Sequence, residues 1–123
     1  MLPAGTHIRV HTHETAGVSV SAYIAALEAG ADGIDLAAAP VSGGTSQPDI
    51  IIMLHALKGK NFDLGLDIEK IRVYEEVFTE ALKDYFIPPE AVQVSPMIPF
   101  SPMPGGALTA NTQMLRDNGL LDK

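Results

Sequence analysis

Apolar and polar residues alternate over 6–12, where Ile8 and Val10 sit between His7, Arg9 and His11. A period of two predicts a strand. The run 19–29, SVSAYIAALEA, is rich in alanine and leucine and predicts a helix. Gly30 follows it, where a helix ends in a left-handed cap. The apolar run 33–39, bounded by glycine and proline, predicts a second, buried strand. After the loop PVSGGTSQP, Ser46 or Gln47 is expected to cap a helix with Pro48 in its first turn and Asp49 near the positive end of its dipole. That helix runs through IIIMLHAL and stops near Gly59, and KNFDLGL reads as a loop. Ile71, Tyr74, Phe78, Leu82 and Tyr85 then recur at steps of three and four. This predicts an amphipathic helix over 67–85, with Glu75, Glu76, Lys83 and Asp84 on its wet face and Pro88 and Pro89 ending it. AVQV at 91–94 predicts a third, short strand. SPMIPFSPMPGG is too rich in proline for regular structure and reads as packing across the barrel end. A last helix is expected over 107–118, closed by Gly119.

Strands alternating with helices mean an α/β class with a parallel sheet and helices packed outside it. A closed (β/α)8 barrel of this kind needs about 250 residues. This chain has 123, so it reads as a piece of a barrel, with a small open sheet as the other arrangement. The composition, 46% hydrophobic and 19% charged, is that of one globular domain. A net charge of -7 argues against a nucleic-acid surface and against attraction to an anionic membrane. With no cysteine there is no disulfide framework and no thiolate metal site, which fits a reducing, cytoplasmic setting. The start MLPAGTHIRV does not read as a signal peptide, and no apolar stretch is long enough to span a bilayer.

The candidate chemistry lies in IRVHTHETAG at 8–17. Residues two apart in a strand share a face, about 6.6 Å apart along the chain. His11 and His13 therefore share one face, and Ile8, Val10 and Thr12 the other. Two imidazoles so spaced can take neighbouring positions on one divalent cation, at about 2.0–2.1 Å for zinc. They stand at the carboxyl end of a strand, where barrels place their chemistry. The plainer reading is two surface or hydrogen-bonded histidines, and imidazole suits several metals, so none is named by these residues. Arg9 shares the histidine face; inside a barrel it is buried and needs a carboxylate, for which the chain alone names no partner.

HTHETAG, then AYIAALEAGADGIDLAAAPVSGGTSQPD, then PMPGGALTANTQM resemble the carboxyltransferase domain of biotin-dependent enzymes. These are pyruvate carboxylase, including the form divided between two subunits, and the alpha subunit of oxaloacetate decarboxylase. The resemblance runs from Ile8 to Leu120. HTHxTxG followed by SGxTSQP is more specific than HxH, which isopropylmalate synthase and hydroxymethylglutaryl-CoA lyase also carry. The resemblance implies a metal-dependent (β/α)8 barrel, of which positions 1–123 are one partial domain, about strands six to eight with their helices. It implies that His11 and His13 bind a divalent cation: zinc, manganese or cobalt. The implied reaction moves a carboxyl group between carboxybiotin and pyruvate, through the pyruvate enolate, to give oxaloacetate, or runs in reverse. Biotin arrives on a carrier domain, and no MKM-type biotinylation motif is present here.

The family's further metal ligands, an aspartate and a carboxylated lysine, fall before Met1, as do the arginine and glutamine that hold pyruvate. Its proton-shuttling threonine falls past Lys123. The first lysine here, Lys58, lies on the second helix and replaces none of these. Where pyruvate carboxylases often carry a biotin-contacting glutamine after PGG, this chain has Ala107.

Other polar residues have plainer readings. Glu14 points away from the histidines by strand parity, unless the strand has ended. Asp35, inside an apolar strand, needs partners and is expected to be structural. Thr45, Ser46 and Gln47 form a helix start that can bind an anion, with simple capping the stronger reading. His7 and His55 read as incidental. The expectation is thus part of an enzyme, inactive until the other strands or a second copy complete it. The alternatives are a stand-alone α/β binding or structural domain with a remnant HxH, or a fragment of a related lyase or synthase acting on 2-oxo acids.

Overall fold

The computed structural model describes residues 1–97 and Met114. The element order is β1 (Arg9–Val10), α1 (Ser19–Glu28), β2 (Gly33–Ile34), α2 (Ile50–Ala56) and α3 (Ile68–Leu82), followed by a 3-10 turn at Pro89–Ala91. β1 and β2 pair in parallel, with Arg9 opposite Gly33 and Val10 opposite Ile34. The ladder is shorter than the strands expected over 6–12 and 33–39, because regular pairing lasts only where the two backbones run side by side. Farther on, Ala37 forms a parallel bridge with Asp49, through Ala37 N to Pro48 O at 3.0 Å and Ile50 N to Ala37 O at 2.9 Å. That bridge returns the loop before α2 to the carboxyl ends of the strands.

Helix α1 ends as its sequence predicts. Gly30 has φ +103°, its amide donates to Leu27 O at 3.0 Å, and Ala31 N donates to Ala26 O at 2.9 Å. This is a Schellman closure, which needs a residue at ease in the left-handed region. Helix α2 starts later than expected. Asp49, not Ser46 or Gln47, is the cap: its Oδ1 accepts from Ile51 N at 2.8 Å and Ile52 N at 3.0 Å. Pro48 lies just outside the helix and is fully buried.

Tyr23, Met53 and Leu57 form the buried cluster. Val10, Val20, Ile24, Leu27, Ile34 and Leu36 pack around it, so α1 and α2 cover one face of the strand pair. Strand parity turns Arg9, and Asp35 just beyond β2, to the uncovered face.

Helix α3 starts at a capping Asp67, whose Oδ1 accepts from Glu69 N at 2.9 Å. Ile71, Phe78 and Leu82 are half-buried as expected, but Tyr74 and Tyr85 are exposed, and so are Val73 and Val77. Glu75, assigned to the wet face, is half-buried instead. The third strand expected over 91–94 is absent: this segment follows Pro88 and Pro89 into the 3-10 turn and then runs irregularly. The last helix expected over 107–118, the PMPGG stretch and Ala107 lie outside the described residues, apart from Met114, which is helical. Among the described residues, no helix is long and apolar enough to cross a membrane.

Candidate metal centre at the strand ends

The ladder stops at Val10, so His11 and His13 stand on the stretch of chain that leaves β1. They still lie together: their ring centroids are 5.2 Å apart, with the planes at 78°. What holds each ring is a hydrogen bond at Nδ1. His11 Nδ1 lies 2.9 Å from Asp35 Oδ2, and His13 Nδ1 lies 2.5 Å from the carbonyl oxygen of Thr45. A carboxylate and a carbonyl only accept, so both Nδ1 atoms carry the proton. In the neutral imidazoles, both Nε2 atoms are then lone-pair donors to whatever faces them. They face the same point, for Gln47 Nε2 lies 3.2 Å from His11 Nε2 and 3.5 Å from His13 Nε2. A carboxylate or carbonyl behind the far ring nitrogen is the usual support of a metal-ligating histidine.

Asp35 is shared. Its Oδ1 accepts from Arg9 Nη1 at 2.6 Å while Oδ2 holds His11. This supplies the carboxylate that Arg9 needed, and from within the chain. The guanidinium is not buried here: the Arg9 side chain is 57% exposed. A Cβ on Gly33 would stand 3.2 Å from His7 Nε2 and 3.4 Å from Arg9 Cζ, so both side chains lie over the glycine. The Arg9 hydrogen bond, then that of His11, holds the Asp35 carboxyl below the usual aspartate range. Asp35 is therefore anionic at neutral pH. The structural role expected of it takes the form of a brace on two site residues.

Thr45 is fixed by the segment after α3. Its N–H and its Oγ1 each lie 2.9 Å from Ala91 O. Gly44 permits this crossing: its φ is +53°, and a Cβ would fall 2.4 Å from the Val92 carbonyl carbon. Thr45, Ser46 and Gln47 do not start a helix; they form the loop wall of the histidine site. Glu14 turns away, as parity suggested, although the strand has ended. Its carboxylate accepts from Ser19 Oγ at the start of α1, and its N–H donates to Ser46 O at 2.8 Å. His7 and His55 are exposed and join neither ring.

Sequence reasoning missed Tyr23 and misread Gln47. The Tyr23 hydroxyl donates to Asp35 O at 2.7 Å, has Thr12 O at 3.3 Å, and accepts from Thr12 N at 3.0 Å. It ties together the two chain segments that carry His11, His13 and Asp35. The available signal was a lone tyrosine on the buried face of an alanine-rich helix, where a hydroxyl needs partners. For Gln47 the signal was a long amide beside Pro48, two residues too early to cap α2.

The chain is 35% identical over 94% of its length to a pyruvate carboxylase subunit of Methanocaldococcus jannaschii. It is 34% identical, over the same share, to the corresponding subunit of Methanothermobacter thermautotrophicus. It spans 21% of each of these relatives. The carboxyl transferase domain of Rhizobium etli pyruvate carboxylase, solved with pyruvate, superposes with a TM-score of 0.79 at 32% identity, covering 98% of this chain and 20% of that one. The same domain solved with pyruvate and biocytin gives 0.78 at 32%, covering 96% and 20%. The α/β arrangement with its parallel strands thus matches part of that domain. No family model matches the chain.

Proposed function

We propose, from the premise that this chain is homologous to part of the pyruvate carboxylase carboxyltransferase domain, that it forms one side of a metal-dependent carboxyltransferase site. In this reading, positions 1–123 are one partial domain, about strands six to eight of a (β/α)8 barrel. The full site moves a carboxyl group between carboxybiotin, carried on another domain or chain, and pyruvate or oxaloacetate. The solved relatives that hold pyruvate, and pyruvate with biocytin, support that choice of partners. A cytoplasmic setting belongs to the same proposal.

The observation that carries it is the histidine pair with both Nδ1 atoms already donated and both Nε2 atoms facing one point. Two neutral imidazoles are a donor set that fits zinc, manganese or cobalt. A divalent ion held there supplies Lewis-acid stabilisation to negative charge developing on a ketone oxygen. The chain's own residues prepare for it. Asp35 and the Thr45 carbonyl fix the tautomer and aim of the two rings, Arg9 holds Asp35 anionic, and Tyr23 holds the segments in register.

Among the described residues, no third histidine, cysteine, aspartate or glutamate joins the pair in a metal-holding group. In this reading, further ligands come from outside the described residues, with other barrel strands or a second copy of the chain as sources. That same fact favours the second reading, a stand-alone α/β domain with a remnant motif. Metal analysis separates the two. After equilibration with zinc and removal of excess ion, the chain is expected to retain about one ion, as a single two-histidine site allows. The His11→Ala, His13→Ala double variant is expected to retain none. A wild type as empty as the variant would favour the remnant reading.

A further inference from the structure

We propose that Gln47 is a placeholder for the cation: its side-chain amide occupies the space between the two Nε2 atoms and must leave when an ion enters. The inference rests on the reading of His11 and His13 as cation ligands. It concerns a residue to which that reading gives no part.

First, with both Nδ1 atoms donating, to Asp35 and to the Thr45 carbonyl, the neutral form of each imidazole carries its lone pair at Nε2. An amide NH2 has two N–H bonds, one for each lone pair. The contact to His11 Nε2, at 3.2 Å, is the better one; that to His13 Nε2, at 3.5 Å, is stretched. Second, the amide orientation has support on its other side. Ser46 Oγ lies 3.4 Å from Gln47 Oε1, so the hydroxyl points toward the oxygen and leaves the nitrogen to the rings. The backbone beneath is pinned, with Gln47 O accepting from Gly43 N at 2.9 Å and Pro48 fully buried. Third, an ion bonded to both Nε2 atoms at about 2.0–2.1 Å occupies the space into which the two amide hydrogens point. An amide nitrogen has no free lone pair for a cation, so amide and ion exclude each other.

The placeholder has a definite effect. It pairs two lone pairs that have no other partner among the described residues, and it keeps the rings converged. The ion must break those hydrogen bonds before it binds, so the amide weakens the apparent affinity. The opposing arrangement is a half-turn of the amide that brings Oε1 to the ion as a ligand. The two make opposite predictions for truncation.

The test uses the full chain and zinc alone, titrated by calorimetry against a competing chelator, in wild type, Gln47→Ala and the similarly shaped Gln47→Leu. The placeholder predicts that both variants bind zinc about 3- to 10-fold more tightly, the fold-change expected for removing a net hydrogen bond. Damage to a merely structural residue would not tighten binding. Equal or weaker binding by both variants, with zinc bound by wild type, overturns the placeholder alone and leaves the histidine reading standing. Zinc binding absent from all three overturns the histidine reading and the placeholder with it. A second readout is nitrogen NMR of the histidines in zinc-free protein. The Nε2 resonances of His11 and His13 are expected to move in Gln47→Leu while the protonated Nδ1 resonances hold. Unmoved Nε2 resonances would show that the amide makes no such contact, which also overturns the proposal.

Discussion

Tyr23 is fully buried, yet its hydroxyl meets Thr12 and Asp35 at the two strand ends that bear the site. Tyr23→Phe keeps the ring in the core and removes only that oxygen, leaving the Thr12 N–H and the Asp35 carbonyl short of a partner. The expected loss is about 1–2 kcal/mol in urea denaturation. Burial, the larger influence, pushes the Tyr23 phenol up, against the backbone hydrogen bond from Thr12. A group raised in the folded state stabilises fully below its unfolded value, about 10 for tyrosine, and loses that contribution as pH rises through the folded value. The stability gap between wild type and Tyr23→Phe is therefore expected to narrow in alkaline solution. A gap that stays constant would mean the hydroxyl adds nothing specific. At this scale the sequence shows which residues carry chemistry but not what they touch. The HxH spacing marks His11 and His13; the bond from Asp35 to Arg9 and His11 depends on the register of β1 on β2, which no local pattern encodes.

The loop carrying Thr45 and the irregular segment after α3 hold each other at the element scale. Ala91 O takes both Thr45 donors, Ser95 N donates to Thr15 O at 2.6 Å, and the Gly44 backbone presses on Val92. Gly44→Ala and Gly30→Ala provide a controlled comparison. Both glycines have positive φ, but a Cβ at Gly30 meets nothing within 4 Å while one at Gly44 falls 2.4 Å from backbone. Gly30→Ala is expected to cost about 1 kcal/mol from backbone strain alone, and Gly44→Ala at least about twice that. Thermal melts of the two variants check the order; equal losses would mean the segments part readily. The elements themselves were unevenly legible. Helix α1 and its Gly30 closure are written locally, and the period of α3 is plain. The start of α2 was misplaced because Ser46 and Gln47 look like caps, whereas the bridge from Ala37 to Asp49 delays the helix by tertiary pairing. The strand expected at 91–94 failed for the same reason: the Ala91 carbonyl answers Thr45, not a neighbouring strand.

Among the described residues, α1 and α2 cover one face of the strand pair and the histidine site lies on the other. Arg9, His11 and His13 are exposed there, and Val73, Tyr74 and Val77 are exposed along α3. Unpaired strand edges seek partners. If a second copy of the chain covers that face, sedimentation at rising concentration is expected to show a growing share of species heavier than one chain. A chain that stays monomeric throughout would count against the barrel-like arrangement. Arg9 and Asp35 are opposite charges paired at 2.6 Å, and an imidazole that ligates a cation through Nε2 does so as a neutral group. In its metal-ligating form the cluster therefore carries no net charge: Arg9 has already claimed the charge of Asp35. A doubly charged ion arriving between the rings finds lone pairs but no counter-charge. Electroneutrality then assigns the work of compensation to the absent half of the coordination sphere, whose ligands are expected to be anions rather than further imidazoles or amides.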